Sequence, residues 1–128
     1  MALASRGMAR LGLKPGCILS SPLRRARETA RLVAKALGHR GRVELSDLLR
    51  PGMVPRGFLS SLRRRRLASA LLVGHEPDLG ILAAFLLGAR ADAIHFRKGG
   101  LCCITLAPRP RIEWHLTPGQ LRRLGKRG

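Results

Sequence analysis

Hydrophobic positions change period several times along the chain, and the changes outline a succession of helices and strands. Leu3, Met8 and Leu11 fall near one helical face, so residues 2–12 read as a helix that Gly12 and Pro15 bring to an end. Residues 16–20 are an apolar run, as in a short buried strand. The run breaks at Ser20-Ser21-Pro22. Ala26, Ala30, Val33, Ala34 and Leu37 then recur at helical spacing, which predicts a helix over 23–37 with Gly38 as terminator. Val43 to Leu45 reads as a second strand, followed by a loop through Leu49-Arg50-Pro51-Gly52. Residues 56–66 suggest a short helix ending in Arg63-Arg64-Arg65-Arg66, a solvated face whose charge suits a helix C-terminus.

Ser69 to Val73 (SALLV) is continuously apolar, the mark of a strand covered by helices on both sides. After Gly74-His75-Glu76-Pro77-Asp78 an apolar helix runs from about Leu79 to Leu87 and is closed by Gly88. Strand-like runs follow at Ala93–Phe96, Leu101–Leu106 and Ile112–Leu116, separated by Lys98-Gly99-Gly100 and Pro108-Arg109-Pro110. A short basic helix, Gln120–Leu124, comes last. Gly99-Gly100 reads as a turn between strands and not as a phosphate loop, because no helix follows it.

Strand and helix alternating in this order argue for an α/β protein, a three-layer α/β/α sandwich with a mostly parallel sheet. No repeat or linker divides the 128 residues, so one domain is expected. Leu71, Leu72, Val73, Ile81, Ala84 and Phe85 are candidate core residues, together with Ile18, Val33 and Leu37.

Composition narrows the picture. No apolar run approaches the roughly 18 residues that span a bilayer, and no membrane association is expected. Arg6 and Arg10 interrupt residues 1–13, which lack the apolar centre of a signal peptide. Three cysteines without Cys-x-x-Cys spacing agree with a reducing compartment, so a cytoplasmic protein is expected. Cys102 and Cys103 are adjacent and would face opposite ways in a strand, as small core residues do.

The formal charge of +18 invites a nucleic-acid reading. Two features oppose it. Of the 25 basic residues 21 are Arg, a skew that fits a general compositional habit as well as a selected patch. Aromatic residues are only Phe58, Phe85, Phe96 and Trp114, so no stacking platforms are interleaved with the arginines. Weak, nonspecific polyanion binding is expected from such a charge.

Ligands of parallel α/β sheets collect beyond the carboxyl ends of the strands. Two polar clusters stand at such ends: Ser20-Ser21-Pro22 with Arg25, and Gly74-His75-Glu76. The first opens a helix, whose free N–H groups and positive dipole end favour an anion, and Pro22 suits the first helical turn. Arg25, one turn in, can place a planar two-pronged donor over the same anion. A phosphate would fit. The plain alternative is that Arg24, Arg25 and Arg27 only coat a surface helix, with Glu28 and Arg31 as exposed neighbours. His75 weighs against it, since a His between a buried strand and the turn at Pro77 is aimed at the ligand edge and can donate or carry a proton.

The stretches "ILSSPLRRARETA", "LLVGHEPDL", "FRKGGLCCITL" and "WHLTPGQL", with the Leu49-Arg50-Pro51-Gly52 loop, resemble the SixA-type phosphohistidine phosphatases of the histidine phosphatase (phosphoglycerate mutase-like) superfamily. The likeness runs from about residue 8 to residue 124. It implies a phosphoglycerate mutase-like fold and a phosphatase of phosphohistidine or another phosphomonoester. The substrates implied are a phosphorylated protein or a small phosphomonoester, with no cofactor and no metal. By the resemblance Arg25 is a phosphate-binding catalytic arginine and His75 the second active-site histidine, which binds and polarises the phosphoryl group. Phosphoryl would pass in line to a nucleophilic His and then to water.

The family's Arg-His-Gly motif, which carries that nucleophile after a first strand, is absent from the 128 residues. Ser5-Arg6-Gly7 follows no strand, and His39, His95 and His115 stand at a helix C-terminus and in late strand-like runs. The resemblance therefore implies an N-terminally incomplete domain whose first, central strand is missing. That strand is expected between the strands at Cys17–Ser20 and Ser69–Val73, with a gap in the ladder where it should be. Alternatively the chain is a non-catalytic phosphate- or phosphoprotein-binding module without a nucleophile. Gly74-His75-Glu76 is not His-Glu-x-x-His, and His95, Cys102, Cys103 and His115 match no standard zinc spacing, which leaves little support for a metal enzyme.

Overall fold

A computed structural model describes residues 2–67, 69–96, 101–105, 111–116 and 118–126. In chain order it contains α1 (Ala2–Arg10), β1 (Ile18–Ser20), α2 (Arg24–Leu37), β2 (Val43–Leu45), a 3-10 turn (Asp47–Leu49), α3 (Pro55–Arg64), β3 (Leu71–Val73), α4 (Asp78–Leu87), β4 (Leu101–Thr105), β5 (Arg111–Leu116) and α5 (Pro118–Lys126). The Lys98-Gly99-Gly100 and Pro108-Arg109-Pro110 stretches, read in the sequence as separators between strand-like runs, lie outside the described residues.

The first three strands form a parallel sheet in the order β2-β1-β3. β1 is the middle strand and alternates its side chains between two helical layers. Ile18 packs with Ala30 and Ala34 of α2, flanked by Val43, Leu71 and Val73. Cys17 and Leu19 point the other way, into a cluster with Leu49, Phe58, Leu59 and Leu82 that reaches α3 and α4. Burial on both faces is why this short strand carries no exposed polar residue: Ile18, Leu19 and Ser20 are all buried. On the α2 side Met8, Val33 and Leu121 join α1, α2 and α5 into a further cluster. The result is three layers, helices on either side of a parallel sheet.

α2 shows how local chemistry sets an element. Ala26, Ala30, Val33 and Ala34 make one buried stripe, and the small alanines let the helix lie close to the sheet. Gly38 ends it in the left-handed region, φ 65°, where its N–H meets the carbonyls of Ala34 and Lys35. The helix begins one residue later than the periodicity suggests: Leu23 is the N-cap, and Pro22 precedes it and lies outside the first turn.

Three expectations are corrected. First, no strand lies between Cys17–Ser20 and Ser69–Val73, for β1 and β3 pair directly, Ile18 with Leu71, Leu19 with Leu72 and Ser20 with Val73. β3 pairs on one side only among the described residues, while β4 and β5 form a separate antiparallel pair. Second, the core is less closed around β3 than its apolar run predicts. Leu71, Leu72 and Val73 are half-buried although helices lie over both faces, because an edge strand lacks neighbours along one side. Ile18, Val33 and Ala84 are buried as expected, whereas Ile81 and Leu37 are half-buried and Phe85 is 45% exposed. Third, Ala93–Phe96 is not a strand. The Ala93 N–H turns back to Arg90, and the Phe96 N–H is taken by the Glu76 side chain.

Candidate functional site

The parallel pairing of β1 and β3 brings their carboxyl ends side by side, with Ser20 opposite Val73. The ladder runs one step further, the Ser21 N–H donating to the Val73 carbonyl at 2.9 Å. Beyond it the two chains diverge, one into α2 and the other into the Gly74-His75-Glu76 turn. Their side chains meet at that divergence: Ser21 Oγ lies 2.8 Å from His75 Nε2. The same oxygen accepts the Leu23 N–H at 3.2 Å, so Ser21 also ties down the entry to α2. Ser20 and Ser21 are fully buried, and the Ser20 hydroxyl donates to the Ser21 carbonyl at 2.8 Å.

Two parts of the turn brace His75 from behind. Glu76 is spent on backbone: Oε1 accepts the Gly80 N–H at 3.0 Å and Oε2 the Phe96 N–H at 3.3 Å. The His75 carbonyl accepts the Leu79 N–H at 3.0 Å and so starts α4. The imidazole is half-buried.

The three clustered arginines have different fates. Arg24 pairs with Glu28 at 2.9 Å across one helical turn, an exposed pair worth little. Arg27 is half-buried, and its Nε has no hydrogen-bond partner among the described residues. Arg25 is exposed in the first turn of α2, four residues beyond Ser21, and makes no hydrogen bond or ion pair among the described residues. The Arg25 guanidinium is thus left uncommitted in the first turn of the helix into which Ser21 leads.

Elsewhere the basic run faces solvent. Arg63, Arg64, Arg65 and Arg66 are exposed at the end of α3, and Arg65 pairs with Glu44 at 2.9 Å, which holds its guanidinium pKa up. Cys17 stands at the opposite, amino end of β1. Burial pushes its thiol upward, partly opposed by Arg65, so it is held as a neutral core residue and not as a nucleophile. No three His, Cys, Asp or Glu side chains are grouped as a metal site among the described residues.

Sequence reasoning groups Ser21 with Pro22 and Arg25 at the end of β1 and misses its contact with His75. The signal was there in principle: two parallel strands in register, one ending in Ser-Ser and the other followed by Gly-His. Glu76 was also grouped with the site, yet both its oxygens serve the backbone.

Residues 2–51 match the Histidine phosphatase superfamily (branch 1). An uncharacterized protein of Picosynechococcus sp. is 38% identical over 108 residues, which cover 77% of this chain and 62% of that protein. The match therefore spans less than two thirds of the relative's own length. Among solved structures, that of the protein histidine phosphatase SixA complexed with tungstate has a TM-score of 0.81 at 23% identity, covering 94% of this chain and 80% of that one. A structure from Agrobacterium tumefaciens, provisionally assigned as a phosphohistidine phosphatase SixA, gives 0.74 at 22% identity, over 91% of this chain and 77% of that one. These structures share the fold, and no helix among the described residues is long and apolar enough to cross a membrane. The family match and the fold together bear out the resemblance read in the sequence, and the chain carries the histidine phosphatase superfamily pattern over residues 2–51 on a phosphoglycerate mutase-like frame.

Proposed function

We propose that this chain supplies the phosphate-binding residues of a cytoplasmic phosphatase acting on phosphohistidine or another phosphomonoester through a phosphohistidine intermediate. One observation carries the reading. The Ser21–His75 contact fixes an imidazole at the carboxyl edge of the sheet, on the residue that leads into α2, and the first turn of that helix carries the uncommitted Arg25. An oxyanion there would meet a guanidinium fork, an imidazole and the positive end of a helix. The tungstate held by a protein of the same fold is a tetrahedral oxyanion of similar kind. The substrate is a phosphorylated protein or a small phosphomonoester.

In the reaction proposed, a nucleophilic imidazole nitrogen bonds to phosphorus as the bond to the leaving group breaks, and the leaving group takes a proton. Water then attacks the phosphoenzyme and releases inorganic phosphate. Arg25 and His75 bind the phosphoryl oxygens and stabilise the charge of both transition states. They do not supply the nucleophile, and no Arg-His-Gly motif occurs in the 128 residues. A strand carrying one would pair with the side of β3 that is unpaired among the described residues, since β1 occupies the other. Added in parallel there, it would end at the same edge as His75. The absence of the motif favours a second reading, a phosphate- or phosphoprotein-binding module without turnover.

Calorimetric titration with tungstate, vanadate and phosphate, and with short DNA at two salt concentrations, tests the site. Saturable 1:1 oxyanion binding is expected, weakened about tenfold or more by Arg25→Ala or His75→Ala and little changed by Arg64→Ala. Equal losses from Arg25→Ala and Arg64→Ala would mean that diffuse charge does the binding. DNA binding that falls steeply with salt, without an oxyanion site, would make the chain a polyanion binder.

A further inference from the structure

The hydroxyl of Ser21 has more to do than fill space. Its oxygen carries one hydrogen and two lone pairs. One lone pair is taken by the Leu23 N–H at 3.2 Å. The side chain is fully buried, so its own hydrogen needs an acceptor within the protein. Among the described residues the acceptor in reach is His75 Nε2, at 2.8 Å.

The other assignment fails on the same count. If Nε2 carried a hydrogen and donated to Ser21, the serine oxygen would receive two donors. Its own hydrogen would then be buried with nowhere to go, which is unfavourable. The pairing thus sets which ring nitrogen is protonated, since the bond made by one nitrogen decides the state of the other.

We propose that Ser21 is a positioning residue that donates to His75 Nε2 and holds the neutral ring as its Nδ1–H tautomer, so that Nδ1 presents a hydrogen to the bound oxyanion. This deepens the oxyanion-site reading and rests on it for the role of Nδ1, though the tautomer itself does not. The free neutral imidazole in water prefers the Nε2–H form, so Ser21 would reverse the intrinsic choice. A ring held that way is a hydrogen-bond donor without needing a charge. The neighbouring Ser20 cannot substitute, because its hydroxyl is committed to the Ser21 carbonyl.

Long-range 1H–15N spectra of the imidazoles in the full chain, taken where the rings are neutral and assigned with His75→Gln, read the tautomer directly. The wild-type His75 ring should show the Nδ1–H pattern. Ser21→Ala should return it to mainly Nε2–H, and Ser21→Thr, which keeps the hydroxyl, should retain Nδ1–H. Tungstate affinity should fall about tenfold in Ser21→Ala and within about twofold of wild type in Ser21→Thr. A wild-type ring in the Nε2–H form overturns the proposal whether or not any variant folds. So does an unchanged Nδ1–H ring in a folded Ser21→Ala protein. An Nδ1–H ring that depends on Ser21 in a chain without tungstate binding would leave the tautomer assignment standing and overturn its role in oxyanion binding together with the function proposed above.

Discussion

Asp78 holds Gly52 from 26 residues away: its Oδ2 accepts the Gly52 N–H at 2.8 Å and the Met53 N–H at 3.2 Å. The carboxylate stands in the first turn of α4, where a negative charge also suits the helix dipole. Gly52 adopts φ 91°, a conformation that side chains resist, so the loop turns there and offers two successive N–H groups to one oxygen. One side chain thereby fastens the Leu49–Met53 loop to the helix that follows His75.

Asp78→Ala should therefore cost about 1–3 kcal/mol of stability, the range for losing bonds to a charged acceptor. Asp78→Asn keeps an acceptor oxygen and should cost less than half as much. Urea unfolding of the two variants against wild type checks this. Equal midpoints for all three would show that the loop is held by something else.

Close backbone approach makes a second prediction. A Cβ at Gly7 of α1 would run into the Leu121 carbonyl of α5, whereas one at Gly57 of α3 would meet nothing within 4 Å. Gly-to-Ala within a helix ordinarily gains about 1 kcal/mol, but forcing a backbone apart costs about 1–3 kcal/mol. Gly57→Ala should raise the melting temperature, and Gly7→Ala should lower it. Matching shifts would mean that α1 and α5 do not lie in contact.

The elements were legible where periodicity ran long and a terminator stood at its end, as in Ala26 to Gly38. The neighbour of each strand was not. The apolar run of residues 69–73 looks the same whether the strand is central or at an edge, and its half-burial follows from partners that sequence spacing does not name. Phe85 shows the same limit: an aromatic in an apolar helix reads as core, yet it is 45% exposed while Leu82 is 3% exposed. α4 is apolar nearly all round, so no stripe told its two faces apart. At the site, residue types and strand ends identified His75 and Arg25 as candidates. The contact of Ser21 with His75 depends on the register of β1 against β3, which the residues alone do not fix.

The Cys17 thiol gives a pH-dependent prediction. Burial raises its pKa above the ordinary 9.0, Arg65 lowers it in part, and Glu44 raises it further. The folded state thus holds the thiol proton more tightly than the unfolded chain does. The stability this group contributes is fully present below pH about 9 and is lost as pH rises through the raised folded value. Urea unfolding at about pH 8 and pH 10.5 should show a smaller alkaline loss in Cys17→Ala than in wild type. An identical loss in both would mean that the thiol titrates alike in the folded and unfolded chains.

The last prediction concerns turnover and follows from the division of labour at the site. Positioned charges can bind a phosphoryl group and stabilise its transition state, but the covalent step needs a nucleophile in line with the leaving group. With Arg25 and His75 alone, the 128 residues should bind tungstate and show negligible hydrolysis of phosphohistidine or p-nitrophenyl phosphate. A supplied strand that ends in Arg-His-Gly, fused ahead of Ala2, should pair with the side of β3 left unpaired among the described residues and bring turnover. It should also raise stability, by covering the half-buried Leu71, Leu72 and Val73. Changing the His of that added motif to Ala should remove turnover and keep the gain in stability, which separates chemistry from folding. Robust hydrolysis by the 128 residues, lost on His75→Ala, would instead show that His75 or a group it activates is the nucleophile. Hydrolysis by neither chain, with tungstate still bound at Arg25 and His75, would favour the binding module over the enzyme.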